Sequence, residues 1–123
     1  MKTRQLVPLV SVADVDRSIA FYGKLGFEVG NTFKPEDATK PTWAWLHSES
    51  AQLMLATAAQ PIVAGQENVL FYIYTDDVAT ARASLAHVGM DPGEIATPFY
   101  APLGEFQLID PDGYVIMVTH TSE

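Results

Sequence analysis

The chain has 123 residues, of which 48% are hydrophobic and 18% charged, a balance that suits a folded domain with its own core and excludes a disordered chain. It contains no cysteine, so disulfides, thiolate nucleophiles and cysteine metal sites are excluded. The net charge of −8 falls wholly in the second half: residues 1–63 balance six acidic against six basic side chains, whereas residues 64–123 set nine acidic ones against Arg82 alone.

That field repels nucleic acid, whose phosphates need Lys or Arg. It attracts a cationic small molecule or serves only to keep the surface soluble. Residues 1–10 carry no long apolar run and no small-residue cleavage pattern. No stretch reaches the roughly 18 apolar residues of a membrane span. The expectation is a cytoplasmic protein with neither a nucleic-acid nor a membrane partner.

In chain order, residues 6–12 read as a short apolar strand. Asp14 follows as an N-cap for a helix over 15–24, with Val15, Ile19 and Tyr22 on one face and Gly26 in the left-handed position that ends it. Residues 27–33 resume extended structure, and 31–42, with two prolines, read as a loop. Residues 43–47 and 52–56 flank the polar turn Ser48-Glu49-Ser50 and form a hairpin. Residues 57–67, holding Pro61 and Gly65, join the halves.

The second half replays this order. Residues 68–74 read as a strand, and a helix capped at Asp76 or Asp77 buries Val78, Ala81, Leu85 and Val88. Residues 90–103 hold three prolines and Gly93, and carry one short strand inside a long loop. Residues 105–109 and 115–119 surround Asp110-Pro111-Asp112-Gly113, where Pro suits the second turn position and Gly supplies the positive φ.

The two halves are a repeat at an offset of 63 residues. Asp14-Val15 maps onto Asp77-Val78, Tyr22 onto Leu85, Gly26 onto Gly89, and Leu53-Met54-Leu55 onto Ile116-Met117-Val118. The chain therefore reads as a single α+β domain of two tandem βαβββ modules, about 5–56 and 68–120, joined by a linker over 57–67.

The segment Leu9-Val10-Ser11-Val12-Ala13-Asp14-Val15-Asp16-Arg17-Ser18-Ile19-Ala20-Phe21-Tyr22, then Leu25-Gly26-Phe27, resembles the opening of the glyoxalase/bleomycin-resistance/dioxygenase (vicinal oxygen chelate) proteins. Asp110-Pro111-Asp112-Gly113 resembles their closing hairpin. The resemblance implies two modules curling an eight-stranded mixed sheet around a cleft, with helices on the convex face, and usually a homodimer.

It also implies four metal-ligand positions on the first and last strands of the modules, filled by His, Gln or Glu in the family's metal enzymes. Here those positions fall on Val7, Met54, Leu70 and Met117. Hydrocarbon and thioether side chains are poor donors for a hard or borderline cation. No metal and no other cofactor is expected.

What strand parity leaves for the cleft is aromatic and apolar. Val7, Leu9 and Ser11 point inward, and Leu70 does so with Tyr72 and Tyr74. The first hairpin adds Trp43, Trp45, His47, Gln52 and Met54; the last, if its turn ends in a glycine bulge, adds Glu105, Gln107, Val115 and Met117. Phe33, Phe99 and Tyr100 sit in the two long loops. This set suits stacking on a planar ligand, with Glu105 available to a cationic group.

His47 and Glu105 are the weak catalytic candidates, His47 because imidazole titrates near neutrality. His87 lies on a solvated helix face, and His120 has the opposite strand parity from Met117. Asp76-Asp77 and Asp110-Asp112 are explained by a cap and a turn. No phosphate loop or nucleophilic triad is present.

The leading expectation is a metal-free binding protein akin to the bleomycin-resistance type, sequestering an aromatic or cationic compound without turnover. The alternatives are a lyase, isomerase, epimerase or dioxygenase of the same superfamily with a noncanonical or metal-independent site, and a partner-binding module that uses the fold as scaffold.

Overall fold

The computed structural model describes residues 1–63 and 69–121. It divides into two compact units, Met1–Ile62 and Val63–Glu123, and the boundary falls inside the expected linker. The rest of the linker, and Asn68 at the start of the expected fifth strand, lie outside the described residues.

Unit 1 contains β1 (Leu9–Val12), α1 (Val15–Lys24), β2 (Glu28–Phe33), β3 (Trp43–Ser48) and β4 (Ala51–Thr57). The sheet order is β1-β4-β3-β2, with β1 parallel to β4 and the other pairs antiparallel. Helix α1 begins where the Asp14 carboxylate accepts the Arg17 N–H at 3.1 Å, satisfying one of the donors that a helix start leaves open. It ends in a Schellman turn: Phe27 N–H donates to Tyr22 O and Gly26 N–H to Gly23 O, both at 3.1 Å, with Gly26 at φ 98°. The Tyr22 and Phe27 rings meet edge to face at 6.1 Å, supplying the apolar contact of that turn.

Alternation along the strands decides which sheet face α1 covers. Val10, Val12, Ala44, Leu46, Leu53 and Leu55 are buried, as are Val15, Ser18 and Tyr22 of the helix, which packs on β3 and β4. Each fully buried aliphatic side chain of this kind contributes about 1.5–3 kcal/mol. The intervening positions form the face that α1 does not cover.

Unit 2 contains β5 (Phe71–Thr75), α2 (Val78–His87), β6 (Glu105–Ile109) and β7 (Val115–His120), in sheet order β5-β7-β6. The Asp77 carboxylate caps α2 by accepting from Thr80 N–H at 3.0 Å, and Met90 N–H to Leu85 O closes the helix with Gly89 at φ 88°. Phe106, Leu108, Ile116 and Val118 are buried on the side where α2 packs with Val78 and Leu85. The closing turn is a type I turn with a glycine bulge. Asp110 Oδ1 accepts from the N–H groups of Asp112 and Tyr114, each at 2.9 Å, and Gly113 sits at φ 96°.

The structure corrects several sequence expectations. There are seven strands among the described residues, in sheets of four and three, where one sheet of eight was expected. The strand expected within residues 90–103 is reduced to a single bridge, Ala96 to Glu105. Pro92 and Pro98 flank that segment and have no N–H to extend a ladder. Val88 is half-exposed because α2 stops at His87, leaving Val88 as the C-cap outside the buried row. Strands β1 and β5 begin later than expected, so Val7 and Leu70 precede them.

Candidate functional site

On the uncovered face of unit 1, the two-residue turn after Ser48 keeps β3 and β4 in the expected even register. His47 lies opposite Gln52, Trp45 opposite Met54, and Trp43 opposite Ala56; Leu9 of β1 flanks Met54 on the other side. Phe33 belongs to this face as the last residue of β2, paired with Trp43, rather than to a loop. Its ring is more than half exposed.

The Trp45 indole is held from three sides. Its Nε1–H donates to Gln52 Oε1 at 3.0 Å, and Gln52 Nε2 in turn donates to Gln5 Oε1 at 3.0 Å. The His47 ring stacks on it at 5.2 Å with 29° between planes. Beneath, β2 bulges at Gly30, where a Cβ would overlap the Trp45 ring. Gln5 and Gly30 were missed in the sequence. A glycine inside a strand pattern marks close backbone approach, so Gly30 had a signal; Gln5 had none.

On the uncovered face of unit 2, Tyr74, Thr119 and Glu105 lie side by side across β5, β7 and β6, and Tyr72, Met117 and Gln107 form the next row. The Tyr72 and Tyr74 rings lie 6.5 Å apart. Phe99 and Tyr100 stand on the loop before β6, edge to face at 5.3 Å, and Phe99 is 95% exposed.

Glu105 is the unusual member, a carboxylate only 5% exposed on a face whose other members are uncharged. The Tyr100 hydroxyl donates to its Oε2 at 3.5 Å, while Oε1 is buried with no hydrogen-bond partner among the described residues. The negative charge of Glu105 is the main reason the Tyr100 phenol is pushed above its usual 10.0, with desolvation and Tyr72 adding to it. Thr119, buried opposite Glu105, was not singled out in the sequence.

The remaining expectations sort out simply. His120 shares the parity of the α2-covered face, as expected, and its Nδ1 meets Thr121 O at 3.1 Å. His87 is exposed in the last turn of α2. Among the described residues, no side chain hydrogen-bonds the His47 imidazole, so nothing orients it as a base is oriented.

Val7, Met54, Leu70 and Met117, where the resemblance implies metal ligands, have side chains that do not fit a divalent cation, since none offers oxygen or imidazole. Among the described residues no group of three or more His, Asp or Glu is placed to hold one.

This architecture, two helix-backed β units with a repeated cap and closing hairpin, defines a class of protein. The sequence profile of the Glyoxalase/Bleomycin resistance protein/Dioxygenase superfamily matches residues 5–118, and the chain belongs to that superfamily. Similar solved structures include a bleomycin-binding protein complexed with bleomycin, at TM-score 0.75 and 20% identity over 98% of this chain and 100% of the other. The bleomycin-binding protein of Streptomyces verticillus, complexed with copper(II)-bleomycin, aligns at TM-score 0.72 and 21% identity over 99% of each chain. TnmS3, an antibiotic-binding protein from Streptomyces sp. CB03234, aligns at TM-score 0.74 and 20% identity, again over 99% of each. No curated protein matches at the sequence level. At these identities the structural likeness establishes the fold. No helix among the described residues is long and apolar enough to cross a membrane.

Proposed function

We propose that this protein binds a small planar aromatic or cationic compound without a metal and without turning it over, lowering its free concentration as a resistance or sequestration protein does. The observation that carries this reading is the braced Trp45 platform: an indole stacked with His47, anchored through Gln52 to Gln5, and laid over the bare backbone of Gly30. A flat, pre-positioned aromatic surface loses little entropy when a planar ligand stacks on it.

Two further observations support binding over catalysis. The positions that the resemblance matches to the family's metal ligands carry no donor suited to a divalent cation, and among the described residues no side chain hydrogen-bonds His47. The antibiotics bound by the similar structures are the chemical class with which to begin. The proposal includes association into a homodimer, because the exposed side chains of Leu9 and Phe33 leave apolar surface on the uncovered face of unit 1.

The test is a thermal-shift and light-scattering screen with metal-free bleomycin, proflavine and neutral planar aromatics. A true ligand at about 100 times its dissociation constant adds roughly 2.7 kcal/mol of stability. Mass spectrometry should then recover it unchanged. A chemically altered compound would favour the enzymatic alternative, and a strictly monomeric protein would remove the dimer.

A further inference from the structure

Resting on the binding reading, we infer that the uncovered face of unit 2 is a recognition site for an organic cation bearing at least one N–H. The acceptor is Oε1 of Glu105, and the rings of Tyr72 and Tyr100 flank the bound charge.

The argument begins with an unbalanced carboxylate. Burying one is costly unless it is paired and hydrogen-bonded. Glu105 is 5% exposed, and among the described residues its Oε2 has only the Tyr100 hydroxyl at 3.5 Å and its Oε1 has no partner. Unit 2 cannot supply a counter-charge from its own arginine. Arg82 is its one Lys or Arg, and that guanidinium is already committed to the carbonyls of Pro92 and Gly93 and to the Glu94 carboxylate at 2.8 Å. His120 belongs to the α2-covered face and His87 to the exposed end of the helix.

The surroundings select the kind of cation. Calcium and magnesium take six or more oxygens and zinc about four ligands, and one carboxylate beside a phenol falls short of either. Aromatic faces attract organic cations through their quadrupoles; the Tyr100 hydroxyl reaches Glu105 itself, and Tyr72 lies on the same sheet face in the row next to Glu105. The vacant acceptor adds a finer demand. An amidinium, guanidinium or primary ammonium can donate to Oε1, whereas a quaternary ammonium offers charge but no donor.

Three probes separate these properties: benzamidine (planar cation with N–H), benzamide (its neutral near-isostere) and phenyltrimethylammonium (cation without N–H). Each is titrated into tyrosine-labelled protein and followed by NMR of the ring signals. Benzamidine is expected to bind at least about tenfold more tightly than either companion, the size of one charge-assisted hydrogen bond. Its shifts should fall on Tyr72 and Tyr100.

In E105Q that preference should shrink to within about twofold, while Y100F, which keeps the carboxylate, should retain it. Equal binding of the three probes to the wild type, or a preference that survives E105Q, overturns the inference. Should E105Q fail to fold, the wild-type comparison of the three probes decides alone. If proflavine quenches tryptophan fluorescence but benzamidine shows no preference, this inference falls and the binding reading stands. If neither proflavine nor any of the three probes binds, both fall.

Discussion

Units 1 and 2 start and end their helices in the same way yet leave different chemistry on their uncovered faces. Asp14 and Asp77 cap the two helices through the same backbone contact, and Gly26 and Gly89 close them with the same left-handed turn. Beyond that frame the units part. The face of unit 1 carries an indole–imidazole stack whose indole is anchored through two glutamine side chains, whereas the face of unit 2 sets a buried carboxylate beside the Tyr100 phenol. The positions that satisfy helix-terminal groups are alike in the two units because both helices face the same backbone requirement, while the face positions differ in chemistry.

The comparison can be broken at several levels. The largest effects should come from the shared core: Leu55→Ala in unit 1 and Ile116→Ala in unit 2, both fully buried, should each cost about 2–5 kcal/mol in urea unfolding. A cost below about 1 kcal/mol at either site would show that the two cores are not equivalent.

Next come the faces. Trp45→Ala should weaken proflavine binding about tenfold or more with little loss of stability, because the indole is only half-buried. Gly30→Val should do much the same by forcing the indole off its seat, and should shift the tryptophan emission. Unchanged affinity in both variants would move the site away from unit 1.

The caps offer a subtler test of symmetry. Asp14 is held below the usual carboxylate value of 3.8, chiefly by the Arg17 N–H and then by Lys40. Asp77 is held below it by Thr80. A depressed carboxyl contributes stability that is fully present above its unfolded value and is lost as pH falls through the lower folded value. Asp14→Ala and Asp77→Ala should therefore lower the thermal midpoint at neutral pH, with the gap to wild type closing below about pH 4. A gap that persists in acid would point to packing in place of capping.

The smallest effect is spectroscopic. Removing the Glu105 charge in E105Q should bring the Tyr100 phenol back towards 10.0 in an ultraviolet titration, since that charge is the main cause of its elevation.

Much of this frame was legible in the residues. The repeat, the caps, the closing bulge and the shared strand parity of Trp43 with Trp45 and of Tyr72 with Tyr74 all follow from spacing and turn chemistry, and the structure agrees. What escaped was non-local. That residues 90–103 hold only a bridge depends on a ladder that Pro92 and Pro98 cannot extend. That Glu105 is buried, with one oxygen unpartnered among the described residues, depends on where Tyr100 and Thr119 come to rest. The bracing of Trp45 by Gln5 spans 47 residues from Gln52, a separation that no local pattern encodes.

Both tryptophans of the chain, Trp43 and Trp45, sit on the uncovered face of unit 1, so their fluorescence reports directly on the proposed platform. The most direct measurement is a fluorescence titration of chelator-treated protein with proflavine, followed by mass spectrometry of the recovered compound. Saturable quenching without added metal, lost in Trp45→Ala and leaving proflavine intact, is the expected result. Quenching that appears only after zinc, iron, nickel or manganese is restored, or a compound returned with a changed mass, would contradict metal-free binding without turnover.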